Sequence, residues 1–199
     1  QVKSIDAEKQ LAVVEPGVRN IAISEAVAGY GLYYAPDPSS QIACSIGGNV
    51  AENSGGVHCL KYGLTVHNVE AVKILTIDGE ELILSRDDQG LGLLALINGS
   101  EGLLGVIVEI TVKLTQTPTL ARVVMAGFDK VADCANSVAE IIKAGIIPAG
   151  LEMMDSFAIE AAEGFAKVGY PLEAQALLLC ELDGSESEVQ AELDVVLKV

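Results

Sequence analysis

A segment of small residues, Cys44 to Gly56 (CSIGGNVAENSGG), constrains this 199-residue chain more than any other feature. Its two glycine pairs carry no side-chain bulk, and Ser45 is placed to cap a helix that begins near Gly47 and Gly48. Backbone amides at such a helix start form an anion site that needs no lysine or arginine. Alternatively, the glycines only permit a helix to pack closely on a strand. The local sequence leaves both interpretations open.

Two neighbouring segments have the composition of loops that contact a ligand. Ala35 to Gln41 (APDPSSQ) contains two prolines, which exclude regular structure and stiffen a loop that carries an aspartate and two serines. Gly99 to Ile107 has a glycine at every third position before a predicted strand, whose main chain can contact the edge of a purine. The alternatives are an ordinary surface turn and a plain connection from helix to strand.

The acidic composition restricts the partners of the chain. It has 28 Asp and Glu against 12 Lys and Arg, a formal net charge of −16. Nucleic acid and anionic membrane surfaces would repel this charge. No apolar run approaches the roughly 20 residues of a membrane span, so we expect no direct membrane insertion. The four cysteines lack C-x-x-C spacing, which favours a reducing cytoplasm.

Several common site patterns are weak or absent in the sequence. Gly90 to Ala95 matches the G-x-G-x-x-A dinucleotide fingerprint, but a polar run separates it from the preceding strand. The histidines and cysteines match no zinc spacing, so no metal site is predicted. No G-x-S-x-G motif marks a serine nucleophile. We interpret Met125, Met153 and Met154 as core residues.

The pattern of secondary structure changes near Pro118, where we place a domain boundary between residues 1–118 and 119–199. The first part contains an Asp78-Gly79 hairpin signal. From Ala121 onward strands and helices alternate simply. Asp129 is predicted to cap one of these helices, and Ser185 with Glu188 to form a capping box for the last one. The chain is therefore predicted to be α+β.

Five blocks of the sequence occur together in a familiar order. They are EPGV (Glu15 to Val18), YYAPDPSSQIACSIGGNVAENSGG (Tyr33 to Gly56), KYG (Lys61 to Gly63), the Asp78-Gly79 hairpin and NGSEGLLGVIVEITVKL (Asn98 to Leu114). The series resembles the FAD-binding domain of the PCMH-type FAD-linked oxidases, in the vanillyl-alcohol oxidase-like superfamily. In particular it resembles the group of bacterial glycolate oxidase D subunits and D-lactate dehydrogenases. The part from Ala121 resembles the beginning of that family's ferredoxin-like α/β substrate, or cap, domain.

The resemblance implies non-covalently bound FAD and oxidation of a 2-hydroxy acid of the glycolate or D-lactate type, with hydride transfer from C2 to flavin N5. It implies that the diphosphate and the flavin ring contact Pro36, Asp37, Pro38, Ser39, Ser40, Ile42, Ala43, Gly47, Gly48, Asn49, Asn53 and Gly56. It implies that the ADP half contacts Glu101, Gly102, Gly105, Val106 and Ile107. His58 and Tyr62 would border the flavin, and Lys61 is the nearest cation for a substrate carboxylate. Leu103 stands where many relatives carry threonine.

The resemblance also implies parts that have no counterpart in the chain. These are the family's first FAD loop, an R-G-x-G-T-type segment, and the downstream histidines and acid near the substrate and a divalent metal. We therefore expect a fragment that is inactive alone, and we assign no catalytic base. Electrons would pass to partner subunits with FAD and iron–sulfur groups, and through them a cytoplasmic protein would lie at the inner membrane. The alternative function is a non-catalytic assembly or binding module that retains the flavoprotein fold.

Overall fold

The computed structural model describes residues 1–88 and 92–199. They form two compact units, Gln1–Thr117 and Pro118–Val199. The dismissed fingerprint, Gly90 to Ala95, begins outside the described residues. The apolar run Leu91 to Ile97 predicts a short buried helix that also begins outside them, and its described part forms a helix over Leu93–Ile97.

An antiparallel sheet is the centre of the first unit. The strands of this unit are β1 (Val2–Asp6), β2 (Leu11–Val14), β3 (Leu32–Tyr33), β4 (Val69–Leu75), β5 (Glu81–Ser85), β6 (Val106–Lys113) and β7 (Thr115–Gln116). Five of them form the sheet in the order β1-β2-β6-β4-β5, and β3 pairs with β7 separately. The hairpin between β4 and β5 forms as predicted, with Gly79 at a φ of 81°, a left-handed conformation that suits glycine.

Four α-helices accompany this sheet among the described residues, and two of them contribute to its core. They are α1 (Asn20–Val27), α2 (Ile46–Glu52), α3 (Cys59–Tyr62) and α4 (Leu93–Ile97). Ile23 of α1 and Val50 of α2 are fully buried in one cluster with Ile110 and Val112 of β6. Burial of this apolar surface fixes both helices on the sheet, and with them the turns at their N-termini.

The second unit alternates strands and helices as predicted. Its elements are β8 (Leu120–Phe128), α5 (Val131–Lys143), β9 (Gly150–Asp155), α6 (Ser156–Ala166), β10 (Ala176–Gly184) and α7 (Glu186–Val196). β10 lies between β8 and β9 and is antiparallel to both, so β8 and β9 are parallel to each other, a split βαβ arrangement. Leu178 and Leu182 of β10 are buried against α5 and α7, and Leu177 is buried with Ile159 of α6.

Two local predictions in the second unit were wrong and one was confirmed. Lys130, not Asp129, is the N-cap of α5, and its side chain makes no capping bond. Met125 and Met153 are 51% and 46% exposed rather than core residues, because β8 and β9 are the outer strands of the sheet. The capping box at the start of α7 forms as predicted, with Ser185 accepting from the Glu188 amide.

Candidate functional site

A cleft of about 380 Å³ lies in the first unit where three distant stretches of chain meet. These are the turn after β2, the start of α2, and the turn that leads into β6. Six predicted site residues line the cleft, namely Gly47, Gly48, Gly102, Gly105, Val106 and Ile107. Pro16, Gly17, Ser45 and Ala51 complete the lining. The lining contains no charged side chain, although the net charge of the chain is −16.

Gly47 allows α2 to press against the turn after β2. Its amide donates to the Pro16 carbonyl oxygen at 2.9 Å, and the Ile46 amide donates to the Val18 carbonyl oxygen at 2.8 Å. A Cβ atom on Gly47 would lie 2.6 Å from Cβ of Pro16, closer than real Cβ atoms approach. Close packing, the alternative interpretation of the glycine segment, therefore explains Gly47.

The start of α2, where the sequence predicts an anion site, has three of its amides bound inside the protein. The Gly48 amide donates to the Ser45 side chain at 3.3 Å, so the amides of Ile46, Gly47 and Gly48 all have partners within the protein. The amides of Gly17, Ser45, Gly102 and Gly105 donate to no acceptor among residues 1–88 and 92–199. The open main-chain donors of the cleft thus lie at the N-cap of α2, in the turn after β2 and in the turn before β6.

The turn before β6 is bound to α2 by its backbone. The Gly99 amide donates to the Val50 carbonyl oxygen at 2.8 Å, and the Glu101 amide donates to the Ala51 carbonyl oxygen at 2.9 Å. Glu101 has a φ of 54° and its side chain is exposed. The predicted residue Glu101 therefore holds the turn in place through its main chain, next to the cleft.

The proline-containing loop does not line the cleft but leads into it at Ser45. Pro36 and Pro38 are buried, whereas Ser39, Ser40, Ile42 and Ala43 are exposed. The Gln41 amide donates to the Pro38 carbonyl oxygen at 2.8 Å, and the amides of Ala43 and Cys44 both donate to the Ser40 carbonyl oxygen at 2.8 Å. These short turns make the loop compact.

Asp37 attaches the same loop to the chain after α2. Its Oδ2 lies 2.6 Å from Nδ1 of His58, and its Oδ1 accepts the His58 amide at 3.3 Å. A Cβ atom on Gly56 would come within 2.4 Å of the Asp37 carbonyl group, so only glycine fits there. Asp37 and Gly56 therefore contact each other, and Asp37 fixes the loop to the chain after α2.

The side chains of two predicted residues are bound inside the protein. The Asn49 side-chain amide donates to Oδ1 of Asn20 at 2.8 Å, and Asn49 is 3% exposed. Oδ1 of Asn53 accepts the Val66 amide at 2.9 Å, and Asn53 ends α2 with a φ of 51°. Both asparagines hold α2 and its neighbours and do not line the cleft.

Tyr62, predicted to border a flavin, lies outside the cleft lining. Its ring contacts that of Tyr33 edge-on, with centroids 6.1 Å apart, and Lys61 Nζ lies 5.7 Å from its centroid. Tyr62 and Lys61 line another cavity, of about 400 Å³, together with Lys113. His58, bound to Asp37, is not part of the cleft lining either.

Sequence reasoning missed Pro16, Gly17 and Ala51 as part of the cleft. The available signal was the Pro16-Gly17 pair, which predicts a turn and belongs to the block Glu15 to Val18. Within residues 1–88 and 92–199, no group of three or more His, Cys, Asp or Glu side chains is arranged to hold a metal ion. None of the helices described has the length and hydropathy needed to cross a membrane.

Comparison with known families assigns both units. The profile described as "FAD binding domain" matches residues 1–85, and the profile described as "FAD linked oxidases, C-terminal domain" matches residues 117–199. The chain belongs to the PCMH-type FAD-linked oxidases, and FAD is the cofactor of this class. The resemblance and the α+β fold class stated from the sequence are confirmed.

Curated relatives of the chain include glycolate oxidase subunits and D-lactate dehydrogenases. The chain is 59% identical to the glycolate oxidase subunit GlcD of Escherichia coli K12, over 98% of the chain and 40% of that protein. It is 38% identical to GlcD of Bacillus subtilis, over 98% of the chain and 43% of that protein. It is 32% identical to a D-lactate dehydrogenase of Anaerostipes hadrus, over 94% of the chain and 42% of that enzyme.

The chain thus spans about 40% of the length of these curated relatives. Solved structures of alkyldihydroxyacetonephosphate synthase in two crystal forms superpose on the whole chain with TM-scores of 0.84 and 0.88. They are 20% identical to the chain, and it covers 39% and 40% of their length. At this identity the similarity establishes the fold.

Proposed function

We propose that the protein oxidises a 2-hydroxy acid of the glycolate or D-lactate type with FAD, and that electrons leave through partner subunits. One observation carries the proposal: the glycine segments that were selected from sequence meet in a single uncharged cleft. The 59% identity to a glycolate oxidase subunit over almost the whole chain supports the choice of substrate class.

The cleft has the chemistry to hold the diphosphate and ADP part of FAD. A diphosphate needs donors, and the open amides of Gly17, Gly102 and Gly105 supply them without lysine or arginine. A Cβ atom on Gly17 or Gly102 would project into open space, so glycine at these positions keeps the cleft wide. Val106 and Ile107 add an apolar wall with a main-chain edge, which suits adenine.

The exposed part of the proline loop would face the flavin ring. Ser39 and Ser40 present hydroxyl groups there, and the turns that follow Pro38 hold them without further ordering. FAD bound there would supply the redox chemistry, a two-electron oxidation in which flavin N5 would accept the hydride from C2 of the acid and leave a 2-oxo acid. A redox partner subunit would accept the two electrons.

A titration with FAD tests the cofactor part of the proposal. Gly17→Leu would fill the cleft with a side chain, whereas Gly29→Leu has nothing within 4 Å and lies away from the cleft lining. In the intact flavoprotein that contains this sequence, stripped of its cofactor, we expect quenching of added FAD fluorescence by the unsubstituted protein. We expect a dissociation constant raised about tenfold or more by Gly17→Leu, and no change with Gly29→Leu. Equal affinities for all three proteins would exclude this cleft as the FAD site.

A substrate screen tests the reaction. The intact flavoprotein that contains this sequence should reduce an artificial two-electron dye with glycolate or D-lactate. Bound FAD that stays oxidised with every 2-hydroxy acid would contradict the proposed reaction, and would favour the alternative of a binding module that keeps the fold.

A further inference from the structure

We infer that Asn20 is a positioning residue for the FAD cleft, and this inference rests on the proposed function. Asn20 joins α1 to the proline loop and to α2 at one buried point. It is not part of the cleft lining and belongs to none of the sequence blocks that resemble the family.

Three hydrogen bonds converge on Asn20, which is 1% exposed. Its side-chain amide donates to the Pro36 carbonyl oxygen at 2.8 Å. Its Oδ1 accepts from the Asn49 side chain at 2.8 Å. Its backbone amide donates to the Cys44 carbonyl oxygen at 3.1 Å. The residue therefore holds both ends of the loop that spans residues 36–44, and it holds α2 as well.

The surrounding backbone bonds show that the loop and α1 stabilise each other. α1 has no side-chain cap at its N-terminus, where Arg19 pairs with Ser45 in an isolated bridge. The Ile21 amide donates instead to the Gln41 carbonyl oxygen at 3.1 Å. Loop carbonyls thus satisfy the first amides of the helix, which would otherwise lack partners. Movement of the loop away from α1 would break these bonds together.

The chemistry of the site requires an amide side chain of this length. Pro36 supplies only an acceptor and Asn49 supplies a donor, so the residue between them must donate and accept at once. Aspartate would keep the bond from Asn49 and lose the bond to Pro36, and leucine would lose both. Because the site is buried, no water would replace a lost partner. Release of Pro36 would free the loop at the end that leads to Asp37.

The test compares FAD binding with stability in matched variants. Asn20→Leu is paired with Asn68→Leu, since Asn68 is 3% exposed, lies in the same unit, and donates two bonds to the carbonyl oxygens of Tyr62 and Leu64. We expect both variants to lower the melting temperature. Only Asn20→Leu should raise the FAD dissociation constant about tenfold, which corresponds to the loss of both side-chain hydrogen bonds of Asn20. The visible circular dichroism of bound FAD should also change with Asn20→Leu alone.

Equal changes in FAD affinity for the two variants at equal loss of stability would overturn the inference. If Asn20→Leu does not fold, Asn49→Leu is measured in its place, because it removes only the bond to Oδ1 of Asn20. It should raise the FAD dissociation constant about threefold, and an unchanged constant would contradict the inference. If the unsubstituted protein does not bind FAD, that result contradicts the proposed function. It does not contradict the role of Asn20 in shaping the loop, which the melting temperature of Asn20→Leu still reports.

Discussion

Gly47→Ala places the smallest possible side chain at the tightest contact of the cleft. The new Cβ atom would lie 2.6 Å from Cβ of Pro16, 3.1 Å from its carbonyl oxygen and 3.2 Å from its Cα. Proline is rigid and two of these atoms belong to the backbone, so α2 has to move away from the turn. This movement also stretches the 2.9 Å bond from the Gly47 amide to the Pro16 carbonyl oxygen.

The expected free-energy change is a loss of stability. Overpacking of this kind costs about 1–3 kcal/mol, and a weakened hydrogen bond about 1 kcal/mol more. The higher helix propensity of alanine offsets about 1 kcal/mol of this loss in stability, because glycine is the poorer helix former. The first unit should therefore lose about 1–3 kcal/mol. FAD affinity should fall as well, because Gly47 and Pro16 both line the cleft.

Urea denaturation followed by tyrosine fluorescence measures this change. The chain has no tryptophan, and four of its five tyrosines lie in the first unit, namely Tyr30, Tyr33, Tyr34 and Tyr62. We expect the midpoint to fall by about 1 M. Gly29→Ala is the control, since its Cβ would contact nothing within 4 Å and its φ is not in the left-handed range. An unchanged midpoint for Gly47→Ala, or an equal fall for Gly29→Ala, would refute the reasoning.

Three further outcomes test the second unit and the cysteines. Oε2 of Glu163 accepts hydrogen bonds from the amides of Val168, Gly169 and Tyr170 at 2.9–3.1 Å. Glu163→Gln should therefore lower the stability of the second unit by about 1–2 kcal/mol and speed hydrogen exchange at these three amides. Unchanged exchange would contradict this expectation. A thiol reagent at neutral pH should modify the half-buried Cys44 and Cys59 quickly. It should modify the buried Cys134 and Cys180 only on unfolding, and rapid reaction of all four cysteines would count against the fold. Burial raises the pKa of the Cys180 thiol from 9.0 to about 11, so the folded state keeps this proton at pH values where the unfolded state loses it. Stability of the second unit should therefore fall between about pH 9 and pH 11, and Cys180→Ala should reduce the slope; an identical slope would exclude this cause.

Several parts of the fold were predictable because they depend on contacts between near neighbours. The capping box of Ser185 and Glu188 spans three residues, and the Gly79 hairpin follows from one dipeptide. The wrong N-cap at Asp129 shows the limit of such rules, since Lys130 takes that position without a capping bond. The exposed Met125 shows another limit, because an apolar residue on an outer strand has neighbours on one side only.

The sequence by itself determined the α+β class, the family and FAD as its cofactor. It could do so because glycine and proline, in ordered blocks, restrict which backbone conformations are possible at their own positions. Only the tertiary structure decided which amides are open. Gly47 has its partner at Pro16, and Asn20 has its partners at Pro36 and Asn49, all far apart in the chain. Such bonds depend on how α1, α2 and the sheet pack together, and no local pattern of residues specifies that packing.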